Sequence, residues 1–148
     1  MHQRVITTAL LASGLVSIAL AGPALADSGP KRVQLTGEVI DTWCQLSGIM
    51  GQALGTAHHQ CAIWCAVGGV PVGLQGDDGN AYVLIKVEND SANAPSPTVV
   101  DMQTDRIKVD GNLYERDGVR YLVVAKVLAN EGIVNLTHKD SGIIPFGE

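Results

Sequence analysis

The sequence is short of positive charge. Its 148 residues include 10 Lys and Arg against 15 Asp and Glu, which gives a formal net charge of −5 at pH 7. Nucleic acids and anionic membrane surfaces attract proteins through clustered Lys and Arg. The deficit therefore argues against both of them as partners of this chain.

Three short signals are missing as well. The N-terminus has no twin-arginine pair, so nothing indicates export in a folded state. The residue directly after Ala24-Leu25-Ala26 is not a cysteine, which argues against a lipid-anchored form. The haem attachment sequence Cys-x-x-Cys-His is also absent, although non-covalent haem ligation by a histidine or a thiolate stays open.

The N-terminal residues 1–26 have the pattern of a secretory signal peptide. Arg4 precedes an almost uninterrupted apolar run, and Ala24 and Ala26 fit an A-x-A cleavage site. A retained membrane anchor is the alternative, but the run contains Thr and Ser and ends in no charged flank. We therefore expect a periplasmic or secreted protein that begins at Asp27 and makes no stable membrane insertion after the signal is removed.

The remaining residues 27–148 are expected to form a single domain. Arg4 is the only charged residue of the signal, so the mature chain keeps nine Lys and Arg against 15 Asp and Glu, a net charge of −6. A chain of this length can bury one hydrophobic core.

Alternating apolar and polar residues predict about five β-strands. Two pairs of strands flank turns rich in Gly and Asp and predict two hairpins. The predicted strands cover residues 33–41, 70–75, 80–87, 106–114 and 119–127. On the second hairpin we expect the buried side chains to be Val109, Leu113, Tyr121 and Val123.

The predicted fold is mainly β: a small OB-like five-stranded barrel or an antiparallel meander, with one inserted helix that carries Cys and His. Gly37 and Gly111, inside the first and fourth strands, suit the tight bends of a small barrel. A plain antiparallel sandwich and an α+β sheet with one helix are the alternatives. Residues 88–98 predict an exposed loop, and the tail from residue 128 is expected to pack along the barrel edge through Ile143, Ile144 and Phe146.

The insertion over residues 42–69 is expected to contain the helix. Residues 57–67 include no Gly or Pro, Thr56 suits an N-cap, and Gly68-Gly69 can end the helix in a left-handed conformation.

Spacing along this helix predicts which residues share a face. At about 100° per residue, His58, Cys61 and Cys65 fall within an arc of about 60°, whereas His59 points about 100° away from His58. Cys44, at the end of the first strand, is expected to meet the same face. Three sulfurs and one imidazole suit copper or zinc, and the predicted metal ligands are Cys44, His58, Cys61 and Cys65.

Residues near the predicted ligands are expected to support the site. Asp41 or Glu38 could orient a ligating imidazole through its second nitrogen. Trp43 and Trp64 flank the cysteines and are expected to pack in the core, and Met50 is either a soft ligand or a gap filler.

The cysteine segment resembles a known group of sequences. The motifs Gly-Glu-Val-Ile-Asp-x-x-Cys, His-x-x-Cys-Ala-x-x-Cys and Gly-x-Pro, within residues 37–74, are similar to small exported bacterial proteins of an uncharacterised family. This resemblance implies export and no particular activity or ligand. The Cys-x-x-x-Cys spacing also resembles that of exported copper-delivery proteins of the thioredoxin type, although the surrounding pattern of that fold is absent.

Three functions are open on these residues. The first is an exported metal-binding or metal-handling module for copper or zinc. The second is an accessory barrel domain without catalytic activity, stapled by a disulfide from Cys44 to Cys61 or Cys65, which binds another exported protein or a carbohydrate. The third and least supported is a thiol enzyme with His58 as the base, because a catalytic cysteine seldom needs two more cysteines on the same face.

Overall fold

The computed structural model describes residues 29–49, 53–92 and 96–136. Within them the chain forms six strands and three short helices. In chain order these are β1 Lys31–Asp41, α1 Thr42–Ser47, α2 Gly55–Val67, β2 Val72–Gly76, β3 Ala81–Val87, β4 Asp90–Ser91, α3 Pro97–Asp101, β5 Arg106–Arg116 and β6 Val119–Asn130.

Five of the strands close into a barrel. The sheet runs in the order β2-β1-β5-β6-β3-β4, and a further pairing of β2 with β3 completes the ring. The pairing of β3 with β6 is parallel, and every other pairing is antiparallel. The expected mainly β fold with a small OB-like barrel is therefore confirmed, and the parallel pair rules out a simple antiparallel meander.

Two strand glycines allow neighbouring strands to approach closely. A Cβ atom on Gly37 would overlap the carbonyl oxygen of Gln75 and lie 2.8 Å from Cα of Gly76 on β2. A Cβ atom on Gly111 would lie 2.6 Å from the carbonyl oxygen of Val123 on β6. Both positions lack room for a side chain, as expected for the bends of a small barrel.

Both predicted hairpins form, and the second has the tighter turn. Its two central residues, Asp117 and Gly118, have φ angles of 52° and 79°. Positive φ at both positions is the signature of a type I′ turn, whose twist matches that of the flanking strands. Strands β5 and β6 consequently pair up to Arg116 and Val119, closer to the turn than the sequence pattern indicated.

The buried face of β6 differs from the expected one. Leu122 and Val124 are buried, whereas Tyr121 and Val123 are only half-buried. The register of β5 against β6 shifts next to Gly111, so that Ala125 is an extra residue on β6. Because a bulge reverses the alternation of a strand, an alternation traced across this point assigns the wrong face.

A matched pair of substitutions tests this assignment. Val124→Ala removes two methyl groups from a fully buried site and is expected to lower the free energy of unfolding by about 1 to 3 kcal/mol. The same change at half-buried Val123 is expected to cost less than about 1 kcal/mol. Chemical denaturation of both variants measures the difference, and a larger loss at Val123 would contradict the observed face.

The cysteine-bearing insertion lies between β1 and β2, and its main helix is confirmed with a different start. Helix α2 begins at Gly55, after the N-cap residue Leu54, so the expectation that Thr56 caps it is wrong. Two distant groups satisfy the first amides instead: Gly55 N donates to the Glu38 carboxylate, and Thr56 N donates to the Asn135 carbonyl oxygen over 2.9 Å. Beyond the last turn, Gly69 has a φ of 86° and provides the left-handed stop.

Two segments that were expected to be irregular contain regular elements among their described residues. The expected loop over residues 88–98 contains β4 and the start of α3, which Ser96 caps by accepting from Val99 N. Residues 128–130 belong to β6 rather than to an irregular tail. The expected anchors Ile143, Ile144 and Phe146 lie outside the described residues.

Among the helices described here, none is long and apolar enough to cross a membrane.

Candidate metal site

Asp41 fixes the position of Cys44. It is the last residue of β1 and the N-cap of α1, where one carboxylate oxygen accepts from Cys44 N over 2.8 Å. Such a cap satisfies an otherwise unpaired amide of the first helical turn. Both residues are buried, with 0% of Asp41 and 3% of Cys44 exposed.

The second carboxylate oxygen of Asp41 reaches α2. It is hydrogen-bonded to Nε2 of His58, whose side chain is 1% exposed. One buried carboxylate therefore orients both the helix that carries Cys44 and the imidazole of α2. The expectation that Asp41 holds the second nitrogen of a candidate ligand agrees with this contact.

The three cysteines come together as the helical spacing predicted. The sulfur atoms of Cys44, Cys61 and Cys65 all lie within 4.8 Å of one another, and those of Cys44 and Cys61 are 3.9 Å apart. All three are free thiols in this structure. Cys44 is buried, whereas Cys61 and Cys65 are half-buried, so the cluster has an inner and an outer side.

Cys44 also belongs to a second group of candidate ligands. A ring nitrogen of His58, a carboxylate oxygen of Asp41 and the sulfur of Cys44 lie within 4.8 Å of one another. The two groups thus share Cys44, and together they form a cluster, Cys44, Cys61, Cys65 and His58, that could hold a metal ion.

The other ring nitrogen of His58 has no hydrogen-bond partner in the part of the chain that the structure describes. With Nε2 engaged by Asp41, Nδ1 is buried and makes no hydrogen bond among the described residues. A buried polar atom without a hydrogen bond typically lowers the free energy of unfolding by about 1 to 3 kcal/mol, so such an atom needs a structural reason. A metal bound at Nδ1 would supply one.

The neighbouring histidine points elsewhere, as expected. Nδ1 of His59 lies 3.0 Å from the carbonyl oxygen of Gln103 and 2.9 Å from Oγ1 of Thr104. This contact joins α2 to the loop that precedes β5. His59 therefore anchors the helix to the barrel and does not reach the cysteines with this nitrogen.

Two thiols of the site, those of Cys44 and Cys65, have raised pKa values. Burial, followed by the negative charge of Asp41 and the neighbouring Cys61, raises the pKa of Cys44 to about 12. The same causes in the same order raise the pKa of Cys65 to about 11. Activated nucleophilic cysteines have lowered pKa values, so these shifts argue against the thiol-enzyme hypothesis at Cys44 and Cys65.

Two expectations about the surroundings are wrong. Trp43 and Trp64 are 62% and 69% exposed, so they do not pack in the core. Each lies one residue before a cysteine of the cluster, and the cysteine takes the inward direction. Glu38 binds Gly55 N at the start of α2 and does not orient the imidazole. Met50 lies outside the described residues.

Fold and site together define the class of this protein: a small OB-like barrel with an inserted helical segment whose Cys/His cluster could hold a metal ion. Comparisons with protein-family models, with curated proteins and with solved structures found no match.

Proposed function

We propose that this chain is an exported metal-binding module that holds a copper or zinc ion through Cys44, His58, Cys61 and Cys65. The observation that carries the proposal is the convergence of three thiol sulfurs within 4.8 Å of one another, one of which, that of Cys44, also lies within 4.8 Å of a ring nitrogen of buried His58. Soft sulfur ligands with one imidazole favour Cu(I) or Zn(II) over the hard cations that prefer oxygen.

The spacing of the sulfurs supports metal ligation. Zinc–sulfur bonds of about 2.3 Å in a tetrahedral site place two sulfurs about 3.8 Å apart. The Cys44 and Cys61 sulfurs are 3.9 Å apart, which agrees with that edge. A disulfide needs about 2.05 Å between the same atoms, so its formation requires the sulfurs to move together by nearly half their present separation.

The contact between Asp41 and His58 supports the choice of the fourth ligand. Ligating histidines commonly donate their other ring N–H to a carboxylate, which fixes the tautomer and the ring orientation. Asp41 accepts from Nε2 in that arrangement, and Nδ1 is then the nitrogen left for the metal. The bond also explains why a carboxylate with 0% exposure lies beside the thiol of Cys44.

The different burial of the sulfurs favours a site that exchanges its ion. Cys44 and His58 lie in the interior, whereas Cys61 and Cys65 on α2 are half-buried. An incoming or departing ion can reach the outer pair of thiols without an opening of the barrel. We therefore infer that the module takes up and hands over its metal along the exposed side of α2.

Metal analysis and a free-thiol count on protein purified from the exporting cell test this function. We expect about one copper or zinc ion per chain and three titratable thiols after its removal. The intact mass is expected to correspond to a chain that begins at Asp27. No bound metal together with a single free thiol would contradict the proposal, and a mass that includes residues 1–26 would contradict export.

Replacement of the two adjacent histidines separates a ligand from an anchor. His58→Ala is expected to weaken metal binding at least about tenfold, or about 1.4 kcal/mol, whereas His59→Ala should change it little. His58→Gln serves as a second variant, because its amide N–H can still donate to Asp41 while Nδ1 is lost. Competition with a chromophoric chelator measures each affinity, and equal losses at His58 and His59 would contradict the ligand set.

Metal binding is expected to strengthen as the pH rises. The pKa values of Cys44 and Cys65, about 12 and about 11, keep both thiols protonated at neutral pH, so each must lose a proton to bind a metal. Each displaced proton makes the apparent association constant rise about tenfold per pH unit, and two make it rise about a hundredfold. Affinities measured one pH unit apart near neutrality, corrected for chelator protonation, give the slope. A flat profile would mean that these thiols are not ligands.

A disulfide-stapled accessory domain is the second candidate. It is favoured by the exposed aromatic side chains of Trp43 and Trp64, which adjoin two of the cysteines in sequence and suit a protein partner. In that case Cys44 pairs with a helix cysteine and one thiol stays free. The metal analysis and thiol count described above distinguish the two candidates.

A further inference from the structure

An apolar cleft lies between α1 and the barrel, and its volume is about 230 Å³. One side is formed by the first residues of β3 and β6, among them Ala81, Val83 and Val119. The pairing of β3 with β6 is parallel, with Val83 opposite Tyr121, so the two strands begin side by side. The parallel pair therefore supplies one continuous wall at this end of the barrel.

Helix α1 forms the opposite side of the cleft. It contributes Thr42, Gln45 and Leu46, whose spacing of three and four residues places them on one face of a helix. Cys44 follows Thr42 by two residues, or about 200° of rotation, and so lies on the other face. Among the described residues, none lines the cleft and also belongs to the cysteine cluster. The cleft is therefore a separate site.

The wall of the cleft is mostly apolar, and two of its polar side chains already have partners. Oγ1 of Thr42 donates to the carbonyl oxygen of Pro71 over 2.8 Å, and Nε2 of Gln45 donates to Oε1 of Gln75 over 2.8 Å. Leu46 also contributes to the lining, although it is 84% exposed. Exposed apolar surface at a cleft commonly marks a binding site, so an apolar group is the ligand that this wall fits.

Among the described residues that line the cleft, only Arg120 carries a charge. Its Nε lies 3.6 Å from a carboxylate oxygen of Glu115, and the two side chains are 41% and 64% exposed. An ion pair this exposed is weak. The carboxylate of Asp78 also attracts the guanidinium, but Tyr82 already donates to that carboxylate. The two terminal nitrogens of Arg120 form a fork that suits a carboxylate at the edge of the apolar wall.

The volume of the cleft limits the size of its ligand. An apolar cavity of about 150 Å³ is large enough for benzene, so about 230 Å³ suits a hydrocarbon group of about eight carbon atoms. One guanidinium, shared with Glu115, balances no more than one negative charge. A carboxylate, which carries one charge, therefore fits better than a phosphate with two.

We propose that the cleft binds a small apolar carboxylate, with its hydrocarbon group between α1 and the barrel and its carboxylate at Arg120. This binding goes beyond metal binding and does not depend on it. The chain would then have two sites on opposite faces of α1, one for a metal ion and one for an organic acid.

Titration of the purified chain with octanoate tests the proposal, because this unbranched acid has eight carbon atoms and one carboxylate. Two further compounds serve as controls. Octanol has the same number of carbon atoms without the charge, and acetate has the charge without the hydrocarbon group. Calorimetry measures each dissociation constant, and the shifts of backbone amide signals in NMR spectra show which residues the ligand approaches.

Two substitutions alter the cleft, and each has a matched control. Ala81→Phe places a ring in the cleft from an exposed position of its lining, and Arg120→Gln removes its charge. Ala129→Phe and Arg116→Gln make the same changes at exposed positions of β6 and β5 that do not line the cleft. The NMR spectrum of each variant also shows whether the barrel is folded.

We expect saturable binding of octanoate, with the shifted amide signals coming from residues that line the cleft. Binding should be at least about tenfold weaker for Ala81→Phe and at least about threefold weaker for Arg120→Gln and for octanol. The two control variants should bind octanoate as the unaltered chain does, and acetate should not bind. Absence of octanoate binding, equal binding of octanol, or shifts confined to residues away from the cleft would each overturn the proposal.

Discussion

Replacing Cys44 with serine is expected to weaken binding of Cu(I) or Zn(II) by about a hundredfold or more. Cys44 is the one residue shared by the three-sulfur group and by the group that contains His58 and Asp41. Loss of a residue that merely orients a ligand typically costs about ten- to a hundredfold in metal affinity, and loss of a ligand should cost at least as much. Chelator competition measures the change.

The same variant separates metal ligation from a structural disulfide. If Cys44 is a metal ligand, metal-free Cys44→Ser should have a midpoint of thermal unfolding close to that of the unaltered metal-free protein. It should also show two free thiols. Under a bridge from Cys44 to a helix cysteine, the substitution removes a cross-link that is typically worth about 2 to 4 kcal/mol of stability. An unchanged metal affinity, with a lowered midpoint of thermal unfolding, would remove Cys44 from the ligand set.

The second large effect concerns the barrel. Gly37→Ala is expected to lower the free energy of unfolding by about 3 kcal/mol or more, because the new methyl group collides with the main chain of Gln75 and Gly76. Main-chain atoms of a paired strand cannot move aside as a flexible side chain can. For a domain of this size the loss corresponds to a fall of about 10 °C in the midpoint of thermal unfolding.

Gly29→Ala is the control for this change. A Cβ atom on Gly29 would meet nothing within 4 Å, so this substitution should leave the midpoint almost unchanged. Both variants lose the conformational freedom of glycine, and only Gly37→Ala creates a collision. If Gly37→Ala unfolds at the same temperature as the control, β1 and β2 do not approach as closely as described.

Features that depend on neighbours in sequence were predicted well. The hairpin around Asp117 and Gly118 follows from residues that adopt positive φ, and α2 follows from an uninterrupted segment between glycines. The shared face of His58, Cys61 and Cys65 follows from helical periodicity alone. These signals are local, so a single sequence is enough to reveal them.

Features that depend on distant partners were not predictable. The start of α2 is fixed by hydrogen bonds to Glu38, far before the helix, and to Asn135, far after it. No local sequence pattern predicts these two contacts. Ala125 enters β6 as an extra residue, and no local pattern reveals such a bulge, which reverses the alternation of the strand. For Trp43 and Trp64, residue type favoured burial, but the insertion turns its cysteines inward and leaves both rings outside.

The parallel pairing of β3 with β6 has a consequence for the order of folding. Val83 pairs with Tyr121, and Lys31 pairs with Leu113, so the barrel closes through contacts between remote parts of the chain. Such non-local topologies fold slowly, because loop closure must precede the stabilising contacts. Helix α2 is tied at its start to Asn135, which comes after the last strand. A growing chain that stops before β6 has no closed barrel, and one that stops before Asn135 lacks this tie to α2, so the cysteines reach their final arrangement late in folding.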